Sequence, residues 1–192
     1  FERKRARVGL LGLTLELYQS IAGLYEELSS FGNELTASLS DFVDVSFPGI
    51  CYTSDQVEGT IHAFEEAEMD LVLVVFLSYS PSLISSSALI KTKMPVLIFN
   101  TQKLFDVPSS ILSWETTKNH GMHGVQDLTN VLLRDGKKFS LITGHYQDKA
   151  TLHEVEKYCE VARIIKWMGN ARIGLIGYPM QWMGDFSLDA AA

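Results

Sequence analysis

The chain has 192 residues, which suits one domain of ordinary size and the beginning of another. With 46% hydrophobic and 20% charged residues it is not a disordered or low-complexity chain, and its net charge of −7 argues against a nucleic-acid-binding surface. No apolar run approaches the length of a membrane-spanning helix. The two cysteines, Cys51 and Cys159, have neither disulfide-framework nor zinc-ligand spacing, so we expect reduced thiols in a cytoplasmic protein.

Short apolar runs rich in Val, Ile, Leu and Phe predict the β-strands. They lie at Arg7–Leu13, 42–47, 71–77, Val96–Asn100 and 139–143. The third run, LVLVVFL, contains no polar residue, which is typical of a central strand covered on both faces. We therefore expect a parallel sheet with this run at its centre.

The first apolar run admits a second interpretation, because it follows a basic stretch as the apolar part of a secretory leader does. Glu16 follows the run at once, and the segment supplies a good first strand, so we favour the strand. Because residue 1 is Phe rather than Met, we expect the chain to begin inside a longer gene product.

The segments between the strands carry apolar residues at helical spacing. They are Leu17, Ile21, Leu24, Tyr25 and Leu28; Val57, Ile61, Phe64 and Ala67; Leu83, Ile84, Ala88 and Leu89; Leu128, Val131 and Leu132; and a longer segment at 149–168. Ser54 and Asp55 are predicted to cap the second helix, Pro81 to enter the third, and Asp148 to cap the last.

Strands that alternate with helices predict an α/β fold, a doubly wound parallel sheet of the flavodoxin or Rossmann-like kind. We expect about five strands in the order 2-1-3-4-5. The motif RVGLLG at residues 7–12 recurs as RIGLIG at 172–177, after the long helix and a Gly169-Asn170 stop signal. We interpret residues 1–168 as one domain and 169–192 as the crossover into the first strand of a second, truncated one. A sixth strand of the same sheet is the alternative.

Ligands of open α/β sheets bind beyond the carboxyl ends of the strands. The loops there are rich in hydroxyl, amide and imidazole groups, which hydrogen-bond polyols and other neutral polar ligands. The candidate substrate-binding residues in these loops are Thr14, Ser78, Gln102 and His145. The alternative is that such residues only cap helices and close turns, which is the interpretation we favour for Asp148.

Familiar cofactor and catalytic signatures are missing from the sequence. There is no GxGxxG or GxxxxGK[ST] motif for a nucleotide, and no G-x-S-x-G, HExxH or Cys–His arrangement for catalysis. We expect any catalytic residues to lie beyond residue 192. The segment NHGMHG at 119–124 leaves three roles open for its histidines: a metal site, a place at a helix entry or in the core, and a substrate contact.

Four segments give the chain a resemblance to a known family. ITGHYQDK at 142–149 resembles the V-T-G-H-W-Q-D-K segment of L-arabinose isomerases, with Tyr146 in place of Trp. VVFLSYSP at 74–81 and PVLIFNTQ at 95–102 resemble the family's S-P and P-L-L-x-F-x-T-Q segments, and Asn119 with His123 and Gly124 matches its N-x-x-x-H-G. The resemblance spans residues 7–168. The family's first loop reads G-S-Q-H-L-Y, whereas this chain has GLTLELY at 12–18 and lacks the glutamine.

The resemblance implies the N-terminal domain of a manganese-dependent aldose–ketose isomerase of the L-arabinose and L-fucose isomerase group, acting on an open-chain sugar. The metal ligands would lie in later domains, so this chain alone is expected to bind no metal and to be inactive. The domain would contact other subunits of a homo-oligomer and close part of the sugar pocket, with His123 approaching the active site of an adjacent subunit. The alternatives are a non-catalytic sugar-binding or regulatory α/β module and a purely structural oligomerisation domain. No membrane or nucleic-acid partner is expected.

Overall fold

A computed structural model describes residues 4–107, 110, 113–172 and 174, and it shows a parallel sheet with helices on both faces. The strands are β1 (Arg7–Leu13), β2 (Asp44–Ser46), β3 (Ile50–Cys51), β4 (Leu71–Phe76), β5 (Val96–Asn100) and β6 (Ser140–Thr143). The helices are α1 (Leu24–Leu39), α2 (Ser54–Glu66), α3 (Ser86–Lys91), α4 (Ser113–Lys118), α5 (Gly121–Asp135) and α6 (Lys149–Gly169), with 3₁₀ turns at Glu16–Ser20 and Ser82–Ile84. No described helix combines the length and the apolar character that crossing a bilayer requires.

Strand β4 is the centre of the sheet, as its unbroken apolar sequence predicts. The spatial order is β2-β1-β4-β5-β6, and β4 pairs in parallel with β1 on one side and β5 on the other. Every residue of β4 is buried. The predicted order 2-1-3-4-5 and the α/β fold class are therefore confirmed.

The second predicted strand, at 42–47, is shorter in the structure and is followed by a strand that was not predicted, so the described part of the sheet has six strands where about five were expected. The run at 42–47 contributes only β2, and β3 follows after Pro48 and Gly49. Proline has no N–H for the ladder, and Gly49 has a φ of 133°, which an L side chain rarely adopts. β3 then pairs with the end of β1, where Gly12 lies opposite Ile50.

Two apolar cores lie on the two faces of the sheet. Helices α1 and α6 cover one face, and α2, α3 and α5 cover the other. Cys159 is buried in the first core and Cys51 in the second, and both are free thiols. Burial raises the pKa of Cys51, and it raises the pKa of Cys159 to about 12, so both thiols stay protonated at neutral pH.

Two predictions about the first helices are wrong. Leu17 does not continue the face of α1, because the chain forms a separate 3₁₀ turn and α1 begins after Gly23 with its φ of 78°; Leu17 is 70% exposed. The cap of α2 is Thr53 rather than Ser54 or Asp55. Thr53 accepts from the backbone N–H of Gln56, and the Gln56 side chain accepts from the N–H of Thr53 in return.

Of the later helices, the third departs from its prediction, since Pro81 does not enter α3, whereas the last agrees with it. Pro81 precedes a 3₁₀ turn and α3 begins only at Ser86, so the third predicted helix is split and Leu83 is exposed. Asp148 caps α6 as predicted, and the helix ends at Gly169, one residue beyond the predicted segment. The predicted second-unit strand at 172–177 lies outside the described residues, apart from positions 172 and 174.

The start of α5 is packed against the carboxyl end of β4 through a glycine. A Cβ added to Gly121 would lie 2.5 Å from the backbone oxygen of Phe76, which cannot move without disturbing the central strand. We expect Gly121→Ala to lower the free energy of unfolding by about 1–2 kcal/mol, within the range of overpacked cores.

Gly59 in α2 provides the matched control, because a Cβ there would meet nothing within 4 Å. Gly59→Ala should raise the free energy of unfolding by about 0.5–1 kcal/mol, the usual gain for alanine in a helix interior. Urea denaturation of both variants measures the difference. Equal gains in stability would show that α5 does not approach β4 as closely as described.

Candidate functional site

Buried polar groups with unused hydrogen-bonding capacity line the carboxyl edge of the sheet. Within the described residues they are Thr14 Oγ1 after β1, Ser80 Oγ after β4, Thr101 Oγ1 after β5 and His145 Nε2 after β6. These four strands are consecutive neighbours in the sheet. Because buried polar groups in native proteins are nearly always hydrogen-bonded, their position identifies this edge as the candidate site.

Thr14 and Ser78, two of the predicted substrate-binding residues, are part of the framework of this edge. Both are buried, and the backbone N–H of Thr14 donates to the oxygen of Cys51 over 3.1 Å. The Ser78 hydroxyl donates to the backbone oxygen of Thr117 and so connects the end of β4 to α4. Burial raises the pKa of the nearby Tyr18, and a hydrogen bond with Ser78 partly opposes that rise.

Gln102 and His145, the other two loop candidates, line one cavity of about 380 Å³ between the ends of β5 and β6. Asn100 and Thr101 also line it, and the amide of Asn100 donates to Thr143 Oγ1 across the two strands over 3.3 Å. Among the described residues, no lysine or arginine lines this cavity. Its polar groups are therefore hydroxyls, amides, an imidazole and one carboxylate.

The imidazole of His145 is held in one tautomer by its own loop. The backbone N–H of Gln147 donates to His145 Nδ1 over 3.2 Å, so the proton of the neutral ring is on Nε2. The ring of Tyr146 lies 4.6 Å from the imidazole, and the ring of Phe105 meets it edge-on at 4.9 Å. His145 thus carries a fixed N–H donor in the lining of the cavity.

Asp148 lines the same cavity, but its side chain is engaged with α6. One carboxylate oxygen accepts from the backbone N–H of Thr151 over 2.9 Å and from its hydroxyl over 2.7 Å. These bonds lower the pKa of Asp148, so the residue is ionised at neutral pH. The predicted capping role is confirmed, and it brings a negative charge to the cavity wall.

His123 lies apart from this cavity, on the exposed surface of the first turn of α5. Its ring meets that of His120 edge-on at 4.6 Å, and His120 lies 5.7 Å from the ring of Tyr79. Burial, and to a lesser extent His123, lower the pKa of His120. His120 is the residue before α5, and His123 lies in the first turn of the helix, which forms despite Gly121 and Gly124. Among the described residues, no group of three or more His, Cys, Asp or Glu side chains could hold a metal ion.

Several residues that shape the edge were not selected from the sequence. Ser80 and Thr101 stand in the predicted loops, but the sequence does not show that their hydroxyls are buried without a hydrogen-bond partner among the described residues. The side chain of Asn119, known from the sequence only as part of a motif, accepts from the N–H of Leu104 over 3.0 Å. That bond connects the segment after β5 to the start of α5.

An ion-paired cluster joins α1 to the ends of β5 and β6. No sequence pattern predicted this cluster. Glu34 pairs with Lys103, and the hydroxyl of Tyr146 donates to the second oxygen of Glu34 over 2.8 Å. The ring of Phe31 contacts Tyr146 edge-on, with centroids 5.3 Å apart. Lys103 holds the pKa of Glu34 below its usual value, while burial raises the pKa of Tyr146 to about 12. This cluster positions the loop that carries His145.

Glu34 should contribute to the acid sensitivity of the protein. Because its pKa in the folded state lies below the usual 4.5, its stabilising contribution is fully present above that pH and is lost as the pH falls through the lower value. We expect Glu34→Gln to make the free energy of unfolding fall less steeply with decreasing pH than in the unmodified chain. Urea denaturation across the acid range measures this. Glu26→Gln, at an exposed position of the same helix, is the control, and identical pH profiles for both variants would contradict the prediction.

The comparisons with known proteins agree with the resemblance seen in the sequence. A family model described as L-arabinose isomerase N-terminal domain matches residues 16–169. No curated protein matches the chain. One similar solved structure is an NADPH-quinone reductase from P.pentosaceus, with 10% sequence identity, coverage of 82% of this chain and 97% of that chain, and a TM-score of 0.36. The fold assignment rests on the parallel sheet of this chain itself.

Proposed function

This chain belongs to the L-arabinose isomerase N-terminal domain family, and from that premise we propose that it is the N-terminal domain of a metal-dependent aldose–ketose isomerase of the L-arabinose and L-fucose isomerase group. In the complete protein, a cytoplasmic homo-oligomer, its sheet edge would form part of the sugar pocket and of the contact between subunits. The observation that supports this role is the alignment of unpartnered polar groups at four consecutive strand ends.

The chemistry of this edge suits an unphosphorylated sugar. Sugar hydroxyls both donate and accept hydrogen bonds, as do the hydroxyls of Thr14, Ser80 and Thr101, while a neutral imidazole and amides add donors and acceptors. The negative net charge of the chain and the lack of basic residues in the described lining of the β5–β6 cavity favour a neutral ligand.

Within the part of the chain that the structure describes, the residues do not fit the manganese that the resemblance implies. His120 and His123 lie close together, but among the described residues no third ligand joins them, and the carboxylate of Asp148 is engaged with Thr151. Two ligands do not make a protein metal site of ordinary affinity. We propose, as the resemblance implies, that the metal ligands and the catalytic residues are supplied by other domains of the complete protein.

His123 is the residue that we assign to the sugar site of an adjacent subunit. Its ring is on the surface, which does not agree with a place in the core, and it lies outside the β5–β6 cavity. A neutral imidazole on a rigid helix can both donate to and accept from a sugar hydroxyl. Association of subunits through this end of α5 would bring His123 to a pocket that its own chain does not enclose.

An isomerase assay tests the proposed function. Ketose formation from unphosphorylated aldopentoses and 6-deoxyhexoses is measured for the complete protein and for the 192-residue chain, each with Mn²⁺ and with a chelator. We expect activity only in the complete protein, and its loss with the chelator. Ketose formation by the chain alone, abolished by the chelator, would contradict the proposal. A complete protein that binds sugar without isomerising it would favour the non-catalytic sugar-binding module.

A further inference from the structure

We propose that His120 and His123 form an acid-sensitive pair at the start of α5, and that protonation of both rings separates them and loosens this end of the helix. While the rings are neutral they pack together, and when both are charged they repel each other. The effect of the pair on activity rests on the proposed function, because we assign His123 to the sugar site of an adjacent subunit. The titration of the pair is a property of this chain alone.

The two imidazoles are in direct contact. Their centroids lie 4.6 Å apart with an angle of 64° between the ring planes, and the ring of Tyr79 lies 5.7 Å from that of His120. Edge-to-face packing is favourable for neutral rings, because the edge of one ring and the face of the other carry opposite partial charges. A single charge is still attracted to the neighbouring ring, whereas two charges at this distance repel. The contact is therefore lost at the second protonation.

The helix end at which the pair lies disfavours positive charge. His120 occupies the N-cap position of α5 without a side-chain cap bond, and the first turn contains no acidic residue. The N–H groups at the start of a helix carry a partial positive charge, which an acidic side chain there would offset. Burial, and then the neighbouring His123, lower the pKa of His120. Each of these effects favours the neutral pair.

The elements packed against the start of α5 supply little countercharge. The sequences of β4, β5 and the 3₁₀ turn before α3 contain no charged side chain, and α3 contains only Lys91, in its last position. On α5 itself, Asp127 accepts from the backbone N–H of Ser82 over 2.9 Å. At the end of α4, Lys118 pairs with Glu27 of α1. Both carboxylates already have partners, so a second charge on the pair is poorly compensated.

The loops around the pair add four titratable side chains. Tyr79 follows β4 and contacts His120 through its ring, and Asp106 is exposed in the segment after β5. Asp148 and His145 line the β5–β6 cavity, where the Asp148 carboxylate is engaged with the first turn of α6. Besides burial, the partner imidazole lowers the pKa of His120, so the two rings titrate as a coupled pair.

Two contacts transmit a movement of the pair to its surroundings. The side chain of Asn119, the residue before the pair, accepts from the backbone N–H of Leu104 over 3.0 Å. A Cβ at Gly121, between the two histidines, would lie 2.5 Å from the backbone oxygen of Phe76, so the backbone cannot move closer to β4. Separated rings must therefore move towards solvent. We expect the acid form to change the environment of the Leu104 and Gly121 amides.

NMR titration of the 192-residue chain between about pH 8 and pH 5 tests the proposal. It follows the ring signals of His120 and His123, the nuclear Overhauser contact between the rings, and the backbone amides of Leu104 and Gly121. We expect the ring contact at neutral pH and its loss in acid. Because the pKa of His120 is lower in the folded chain, its stabilising contribution is present above the ordinary histidine pKa and is lost as the pH falls through the folded value.

A variant that keeps the ring and removes its charge separates coupling from packing. His123→Phe should raise the titration midpoint of His120, because the partner can no longer become positive. His62→Phe, at an exposed position of α2, is the control and should leave that midpoint unchanged. Urea denaturation of each variant checks that it is folded. An unchanged midpoint in His123→Phe, or a ring contact that persists when both rings are charged, would overturn the proposal.

The complete protein tests the consequence for activity. His120→Phe keeps a ring beside Tyr79, so at neutral pH its kcat/KM should match that of the unmodified protein. At about pH 5 it should retain about 2- to 5-fold more of that value, the usual worth of one charge at a helix end. Parallel pH profiles would contradict control of the sugar site by the pair.

The outcomes separate this proposal from the proposed function. Coupled titration in the 192-residue chain together with an inactive complete protein would support the acid-sensitive pair and end the proposed function. Independent titration of the two histidines in the chain of an active isomerase would end only the acid-sensitive pair.

Discussion

Replacement of Val74 by Asp is expected to prevent the chain from folding. Val74 lies in the central strand β4, has no exposed surface, and is covered by helices on its face of the sheet. A carboxylate without a partner at such a position costs several kcal/mol, and protonating it still leaves an unsatisfied polar group. The free energy of unfolding of a domain of this size is only about 5–15 kcal/mol, so this one substitution removes most or all of it.

The sheet itself supplies the control. Val74 pairs with Ile98, and Ile98 pairs with Leu141 of the outer strand β6, so the three side chains belong to one row. Leu141 is 47% exposed, and Leu141→Asp should fold with a modest loss of stability. Far-UV circular dichroism and urea denaturation compare the two variants. A cooperative transition of near-normal stability for Val74→Asp would show that β4 is not the buried centre.

The strands that the sequence predicted best are those buried on both faces. Strand β4 consists of apolar residues alone, so side chains on both of its faces must be buried. Its sequence therefore predicts a central position in the sheet. The run at 42–47 is shorter and lies at the margin of the sheet, where Pro48 decides the end of β2. That local backbone effect outweighs the continuity of the apolar pattern.

The helix at the start of the chain shows the limit of periodicity. Leu17 and Ile21 have helical spacing with Leu24, but Gly23 adopts a left-handed conformation and divides the segment. The helical spacing shows which residues are apolar, but it does not show which of them are buried in the core. Leu17 and Ile21 are exposed in the described chain.

The sequence predicted where the candidate site lies, but it did not predict which residues share a cavity or contact one another there. The loops at the carboxyl ends follow from the order of strands alone. That Gln102 and His145 share a cavity depends on β5 and β6 being neighbours in register, and the pairing of Glu34 with Lys103 joins positions 69 residues apart. The Ser78 hydroxyl donates to a backbone oxygen of α4, and no local sequence pattern predicts that contact.

Replacement of His123 by Ala in the complete protein is expected to lower kcat/KM for its sugar. Loss of one hydrogen bond to a sugar hydroxyl costs about 1–3 kcal/mol, which corresponds to about 5- to 150-fold in kcat/KM. Stability should change little, because the side chain is exposed and its described ring contact is with His120. Metal content should stay the same, since the proposal places the metal ligands outside this chain.

His62→Ala is the matched control, because His62 is also an exposed histidine but lies on α2 and pairs with Glu66. It should leave kcat/KM unchanged.

The most direct test of the proposal that this domain completes a sugar site is to measure kcat/KM and the thermal unfolding temperature on the same preparation of His123→Ala. We predict a reduced kcat/KM with a nearly unchanged unfolding temperature. A normal kcat/KM, with or without a lower unfolding temperature, would contradict it.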